Sequence, residues 1–268
     1  MKKIITFLLL LMVQNAFAQS DSAYHVVRSI YGEFSSFTAD NLGNLYIISK
    51  NNQLKKINTR GDSMGVFNDV RKYGKLYSID ATNPLKTILF YRDFRTIVVL
   101  DRLMNIINTI DLRKQNVFQV RAVAPSYDNN VWVFDEQESK LKKIAEDGKV
   151  MSETADLRLV FDEAPVPVAM FDQNGFVYLY DPNKGMYIFD YYGALKNKLP
   201  LLNWTDVQVV GNTILGRKEG NLAVYETGSL QLKEAVLPAF IQTAKNIKLS
   251  PQGIYILDQG YLRLYQQD

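Results

Sequence analysis

The sequence contains no cysteine and only one histidine, His25, among its 268 residues. Without cysteine the chain can form no disulfide bond and can carry no lipid on a thiol. Zinc sites and Cys-His catalytic pairs in their usual forms need more histidine or cysteine than the chain has. The HExxH, P-loop and GxGxxG patterns are also missing. The sequence therefore offers no conventional imidazole, zinc or nucleotide chemistry.

No apolar run is long enough to span a membrane. The longest covers residues 4–13, whereas a membrane-spanning helix needs about 20 apolar residues. It follows Lys2 and Lys3 and precedes the small residues Ala16 and Ala18, which is typical of a secretory signal peptide. We predict a signal peptide over residues 1–18 and one mature domain over residues 19–268. The mature protein is expected in the periplasm or at the periphery of the outer membrane, with no transmembrane segment left.

Charge of one sign does not dominate either. The chain has 31 Lys and Arg against 28 Asp and Glu, and loss of Lys2 and Lys3 with the leader leaves 29 against 28. The basic pairs Lys55-Lys56 and Lys142-Lys143 lie in different parts of the chain, and we interpret both as solvated faces. Nucleic acid recruits a concentrated positive field. We therefore do not expect a nucleic-acid partner.

What the sequence does contain is one unit repeated six times. In each unit a turn of Gly, Asn, Asp or Pro residues leads into a strand pattern, and a second strand pattern follows soon after. A further strand precedes each pair and, in five units, another follows it. The strands after the turns begin at Tyr46, Leu89, Trp132, Tyr178, Ile214 and Tyr255. Four antiparallel strands every ~40–45 residues are typical of a β-propeller.

The sixth unit ends at Asp268 after three strands, whereas residues 24–30 have strand character and no partner of their own. Pairing these two parts closes the ring and removes two exposed sheet edges. We therefore predict an all-β fold, a six-bladed β-propeller of four-stranded antiparallel blades whose last blade is closed by the N-terminal strand. Two stacked sheets are the alternative, and they explain the even spacing less well.

Two turns share the pattern D-x-x-G-x-[hydrophobic]-Y, since residues 40–46 read DNLGNLY and residues 172–178 read DQNGFVY. With this motif the chain resembles the bacterial exported six-bladed propellers related to NHL repeats and to the propeller lactonases. The fifth unit departs from it, with only Gly211 and Asn212 at the turn. The resemblance covers nearly all of the mature chain and implies a fold more than an activity, because this fold carries many functions.

The propeller lactonases bind calcium in their central channel through Glu, Asn and Asp. The candidates on inner strands here are Asp40, Asp80, Asp172, Asp206 and Asn246. Calcium takes six or more oxygen ligands, and the sequence has no local acidic cluster. Asp40 and Asp172 also stand at turns, where an Asp commonly caps its own backbone. We predict no cofactor, and calcium-dependent catalysis is the alternative.

In most units, charged residues stand at or next to the end of the strand that follows the turn. One interpretation is that they cap turns and form ion pairs between blades. The other is that they line a polar site for a small molecule or glycan at one mouth of the channel. These residues are Arg92, Asp93, Asp135, Asp181, Arg217 and Asp258.

Large aromatic residues recur in the connections between units. They either fill the wedge between neighbouring blades or form an exposed apolar patch for a protein partner. These residues are Phe34, Tyr73, Phe118, Phe161, Trp204 and Phe240. His25 falls in the closing strand, where we expect a partly packed edge residue.

These patterns favour binding over catalysis. We predict a non-catalytic interaction or scaffolding propeller of the bacterial cell envelope, similar to the propeller subunit of the outer-membrane barrel assembly machine. It is expected to contact an envelope protein through the face that carries Phe161, Trp204 and Phe240. A calcium-dependent lactonase or hydrolase and a small-molecule or glycan-binding propeller are the alternatives.

Overall fold

The computed structural model of the protein describes residues 24–267, so the predicted signal peptide lies outside the described residues. Within this range the strands form six four-stranded antiparallel sheets, and each sheet is one blade. The predicted all-β six-bladed propeller is therefore confirmed. Its blades follow one another in chain order.

The first strand, β1 (Tyr24–Tyr31), precedes blade 1. From the channel outwards, blade 1 contains β2 (Phe34–Ala39), β3 (Leu45–Ser49), β4 (Leu54–Ile57) and β5 (Ser63–Phe67). Blade 2 contains β6 (Ser78–Asp80), β7 (Lys86–Tyr91), β8 (Thr96–Asp101) and β9 (Ile106–Asp111). Blade 3 contains β10 (Val120–Pro125), β11 (Val131–Asp135), β12 (Lys140–Ile144) and β13 (Val150–Glu153).

The remaining three blades repeat this order. Blade 4 contains β14 (Ala169–Gln173), β15 (Phe176–Asp181), β16 (Gly185–Asp190) and β17 (Leu195–Leu199). Blade 5 contains β18 (Thr205–Val210), β19 (Thr213–Lys218), β20 (Asn221–Glu226) and β21 (Gln231–Val236). Blade 6 contains β22 (Asn246–Ser250), β23 (Gly253–Asp258) and β24 (Tyr261–Gln267), with β1 as its outermost strand.

The N-terminal strand closes the ring as predicted. Strand β1 pairs antiparallel with β24, from Tyr24 opposite Gln267 to Tyr31 opposite Tyr261, with one bulge between Val26 and Arg28. This pairing satisfies the backbone groups along the free edge of β24, which would otherwise be open to pairing with another chain. The two ends of the described chain thus lie in one sheet.

The core lies between the blades. The two middle strands of a blade are covered on both faces, so they read as continuous apolar runs, as in β7 and β8, which are buried almost throughout. Each main hydrophobic cluster joins two successive blades; one, for example, packs Phe90 of blade 2 against Val133 of blade 3. The outermost strands face water, and β21 is exposed along its whole length.

The propeller has two loop faces. The connection face carries the links from one blade to the next and the turns between the second and third strands of each blade. The hairpin face carries the turns between first and second strands and between third and fourth strands. Three single-turn helices lie in the links: α1 (Val70–Tyr73), a 3-10 helix (Leu112–Gln115) and α2 (Ala239–Gln242). None of the helices among residues 24–267 has the length and hydropathy to cross a membrane.

Candidate functional site

The six aromatic residues of the connections all lie on the connection face, but they differ in exposure. Tyr73 and Trp204 are only 4% exposed, and Phe34, Phe161 and Phe240 are half-buried. Phe118 alone among the six is well exposed, at 43%. Five of them pack against the hydrophobic cluster between two successive blades. Of the two interpretations, filling of the wedge between blades describes this group.

Trp204 is buried too deeply to serve as a docking residue. Its ring packs with Tyr178 and Tyr180 in the wedge between blades 4 and 5. The Tyr180 hydroxyl accepts a hydrogen bond from the Trp204 N–H at 2.7 Å and donates one to the Trp204 carbonyl at 3.0 Å. The expectation that Trp204 contacts a partner is therefore wrong, because the wedge is dense enough to enclose the whole indole.

Phe161 and Phe240 fill wedges in the same way. The Phe161 ring meets Tyr187 edge to face at 4.9 Å, and the Lys198 ammonium lies over the Tyr187 ring. The Phe240 ring lies 4.7 Å from that of Tyr265 in blade 6. Both residues therefore join two blades and present only part of their surface to a partner.

Aliphatic residues form the exposed apolar surface of this face instead. The link from blade 3 to blade 4, residues 154–168, is here called the blade 3–4 loop. Leu159 is 84% exposed, and Val160, Val166 and Val168 in the same loop are exposed too, as is Leu202 in the next link. We call these five residues the apolar patch. The flanking aromatic Phe161 drew attention to this segment in the sequence, while its aliphatic neighbours are what the structure exposes.

The blade 3–4 loop is held firmly in place. Buried Asp181 accepts a hydrogen bond from the Val166 N–H at 2.7 Å, and the Lys184 ammonium donates to the Ala164 carbonyl at 2.6 Å. Leu157 is buried at the start of the loop. These contacts fix a loop that has no regular secondary structure of its own. The apolar patch is therefore displayed on a rigid support.

The charged residues of the turns mostly cap turns or join blades. Asp135 is buried and forms an ion pair with Lys142 at 2.8 Å. Asp181 accepts hydrogen bonds from Val166 and Asn183 backbone N–H groups. Arg217 is also buried, and its partners lie within the protein. These three residues therefore do not form the predicted polar ligand site.

The guanidinium group of Arg217 uses its hydrogen-bond donors within the protein. Its Nε donates to Asp206 Oδ2 at 2.7 Å, and its Nη1 donates to the carbonyls of Ile241 at 2.8 Å and Ala244 at 2.9 Å. The guanidinium thus ties blade 5 to the link that leads into blade 6. It leaves no free donor arrangement for a ligand.

Arg92 and Asp93 remain near the surface. The Arg92 guanidinium stacks over the Tyr77 ring at 4.0 Å, and both Arg92 and Asp93 line a shallow cavity of about 400 Å³ with Phe118. Asp258 is half-buried at the end of β23. The six predicted residues do not meet around one mouth, and none of them lines the channel cavity at the connection face among residues 24–267.

The channel itself contains two cavities that meet end to end. The cavity at the connection face measures about 480 Å³, and the one at the hairpin face about 310 Å³. Both are lined by Thr38, Ile79, Gln208 and Lys248. Asp80 lines the cavity at the hairpin face. The first strands of the blades thus surround a space of the size in which proteins hold small molecules.

Asp80 and Lys248 are oppositely charged residues that line the same cavity. Burial raises the pKa of Asp80, while the backbone and side chain of Thr82 and the charge of Lys248 lower it, with a net rise. Burial lowers the pKa of Lys248, and the charge of Asp80 offsets only part of this effect. Lys248 was not singled out from the sequence. The signal was available, because Asn246, Lys248 and Ser250 alternate along one face of β22.

The other inner acidic residues have partners within the protein. Asp40 accepts from the Asn44 N–H at 2.9 Å, and Asp172 accepts from Trp132 Nε1 at 3.0 Å. Asp206 is paired with Arg217. Within residues 24–267 no three His, Asp or Glu side chains come together as a metal-binding group. Asp40, Asp172 and Asp206 are therefore engaged in hydrogen bonds within the protein.

The interpretation of the lysine pairs as solvated faces is wrong for three of four residues. Lys56, Lys142 and Lys143 are buried. The Lys143 ammonium lies 2.5 Å from Asp128 and over the ring of Trp132, among others. These lysines lie on third strands, whose two faces are covered by the preceding and the following blade. Carboxylates and aromatic rings there replace water as partners of the ammonium groups.

His25 lies in the closing strand as predicted. It is opposite Gln266 in the β1–β24 pair and is exposed. This strand is the outermost of blade 6, on the side of the sheet away from the channel. The imidazole is therefore remote from the channel cavities.

No family model matches the chain, and no curated protein matches its sequence. Among solved structures it is similar to a streptogramin B lyase, with 14% identity, a TM-score of 0.60, and coverage of 87% of this chain and 78% of the other. It is similar to a catalytically inactive virginiamycin B lyase from Staphylococcus aureus with quinupristin, at 12% identity and a TM-score of 0.60, covering 91% and 88%. It is also similar to the WD40 domain of Neurospora crassa Pan2, at 14% identity and a TM-score of 0.61, covering 93% and 87%. At such identities the likeness shows the propeller fold alone.

Proposed function

We propose that the protein is an exported, non-catalytic propeller of the bacterial cell envelope that binds a protein partner through the apolar patch on its connection face. The observation that carries this proposal is the exposure of Leu159, at 84%, together with Val160, Val166, Val168 and Leu202. Four of the five belong to one loop, and soluble proteins rarely expose a large contiguous apolar surface unless it binds something. The face is the one expected from the sequence, with aliphatic contacts in place of Trp204.

The anchoring of the loop supports a binding role. Ordering a flexible loop on association costs free energy for each side chain that is immobilised. Here the contacts of Asp181 and Lys184 with the loop already hold it before a partner arrives. The apolar patch therefore has the fixed geometry that favours tight association.

The charges around the patch define the partner's chemistry. Asp162 is exposed directly after Phe161, at the border of the patch, whereas the exposed Glu163 beside it forms an ion pair with Lys184 at 3.1 Å. Complementary charges across an interface favour encounter and orientation. We therefore propose a partner with an apolar surface bordered by basic residues.

Photo-cross-linking in intact cells of the native host tests the docking surface. A photoreactive amino acid at Leu159 is expected to capture one envelope protein, whereas the same amino acid at Tyr192 is expected not to. Tyr192 is 93% exposed and lies on the hairpin face, so it is the matched control. Adding Val166→Asp and Leu202→Asp is expected to lower the Leu159 cross-link about tenfold, as for central interface residues.

Two outcomes contradict the docking proposal. One is an identical set of cross-linked proteins at Leu159 and Tyr192, and the other is a Leu159 cross-link that survives both Asp substitutions in a folded protein. Circular dichroism checks folding of each variant. Cell fractionation of the tagged full chain tests the envelope location, and recovery in the cytoplasmic fraction contradicts it.

A further inference from the structure

We infer that the central channel is a binding site for a small zwitterion, whose carboxylate is held by Lys248 and whose ammonium group is held by Asp80. The site is distinct from the apolar patch, and it does not depend on a protein partner. It is built by the first strands of the blades, and of its two charged residues only Asp80 was considered from the sequence, as a calcium ligand.

Lys248 has no partner within the described protein. No hydrogen bond or ion pair within 4.0 Å joins its ammonium group to any residue of the range 24–267, although it lies inside the channel. The buried cations of the blades differ, since Lys142 is paired with Asp135 and Arg217 with Asp206. A desolvated ammonium group without a partner is costly. A bound carboxylate would supply the missing acceptor.

Asp80 offers the complementary charge. One of its oxygens, Oδ1, accepts a hydrogen bond from the Thr82 N–H at 2.8 Å. This bond holds the carboxyl group at the end of β6, and no cation lies within 4.0 Å of it among the described residues. Asp80 and Lys248 thus face one cavity without neutralising each other directly. A ligand that carries both charges would pair with both at once.

The pKa shifts agree with this arrangement. Burial raises the pKa of Asp80 and lowers that of Lys248, so both charged forms are under-solvated. Perturbed groups of opposite sign in one cavity are typical of functional sites.

The walls of the channel fit a ligand with a short organic body. Thr38 offers a hydroxyl group, while Ile79 and Phe171 offer apolar contact. The Ser250 hydroxyl is already used, because it donates to the Gly253 carbonyl and accepts from the Gln252 N–H. The Gln208 amide is not available, because it bonds to the backbone of Leu249 in both directions. The cavities of about 310 and 480 Å³ are large enough for an amino acid or a dipeptide.

Isothermal titration calorimetry with three dipeptide probes tests the site. The probes are alanyl-alanine, its N-acetyl derivative without the ammonium group, and its C-terminal amide without the carboxylate. The unmodified dipeptide is expected to bind most tightly. Lys248→Met is expected to weaken the binding of alanyl-alanine and of the N-acetyl form about tenfold or more, because each probe loses a hydrogen bond to the charged ammonium group.

Asp80→Asn tests which end of the ligand contacts Asp80. It is expected to weaken the binding of alanyl-alanine and of the amide, while the affinity for the N-acetyl form stays unchanged. The matched control is Lys245→Met, because Lys245 is exposed three residues before Lys248. This control is expected to bind all three probes as the wild type does, and thermal melting verifies that every variant is folded.

The inference is overturned if the wild type binds none of the probes at millimolar concentration. It is also overturned if Lys248→Met and Lys245→Met bind alanyl-alanine equally. Equal loss of all three probes in folded Asp80→Asn likewise contradicts the assigned orientation. None of these results bears on the apolar patch, whose cross-linking is measured separately.

Discussion

At the residue scale, the blades bury charged side chains that the sequence presents as surface residues. Lys142 meets Asp135 and Glu138, and Lys143 meets Asp128 under three aromatic rings. A buried charge is tolerated when it is paired and hydrogen-bonded. Lys248 differs from these lysines, because it has no such partner among the described residues. Pairing therefore distinguishes structural lysines from a candidate binding lysine.

Arg217→Met tests the structural role assigned to the most saturated arginine. It leaves the largely buried Asp206 without its ion-pair partner and the Ala244 carbonyl without the Arg217 donor. Breaking a buried pair in this way costs about 3 kcal/mol of unfolding free energy. Urea denaturation measures the loss. Arg60→Met is the control, because Arg60 is largely exposed and surface changes usually stay within about 0.5 kcal/mol. Equal stability of the two variants contradicts the assignment.

At the element scale, the D-x-x-G-x-[hydrophobic]-Y motif builds its turn in one blade and joins blades in another. In blade 1 the Asp40 carboxylate accepts hydrogen bonds from the Asn44 N–H and the Tyr46 hydroxyl, so the motif closes on itself. In blade 4 the corresponding Asp172 accepts from Trp132 of blade 3 and from Tyr191. The motif predicts the turn, while the neighbouring blade decides which partners its Asp finds.

Gly185 starts β16 where two strands approach closely. Its φ of +99° disfavours residues with a side chain, and a Cβ there would collide with the Leu199 carbonyl oxygen of β17. Gly185→Ala is therefore expected to lower the unfolding free energy by more than about 1 kcal/mol. Gly228→Ala is the control, since nothing lies near its Cβ position, and it is expected to be neutral or slightly stabilising. Thermal melts compare the two, and a Gly185→Ala midpoint at or above that of Gly228→Ala contradicts the steric argument.

At the scale of the whole molecule, β1 connects the beginning of the described chain to its end. Ring closure covers the β24 edge of blade 6 and completes the wedge between blades 6 and 1, where Ile30 packs against the core with Leu262. The two paired strands are far apart in sequence, so the pairing closes a loop that contains the whole propeller.

Removal of residues 24–31 tests the closure. The chain that starts at residue 32 is expected to melt at a lower temperature and to aggregate, because the edge of β24 becomes free. A chain that starts at residue 24 is the reference. Adding a peptide of residues 24–31 is expected to restore part of the lost stability. Equal melting temperature and solubility of the two chains would show that the ring does not depend on β1.

The sequence by itself determined the number of blades, their four strands and the strand that closes the ring. These features follow from local signals, namely apolar strands and turn residues that recur at a regular spacing. Only the tertiary structure decided the surroundings of each side chain. Trp204 is enclosed, Leu159 is exposed and Lys248 faces the channel because neighbouring blades cover or leave open each position, and those contacts join residues far apart in the chain.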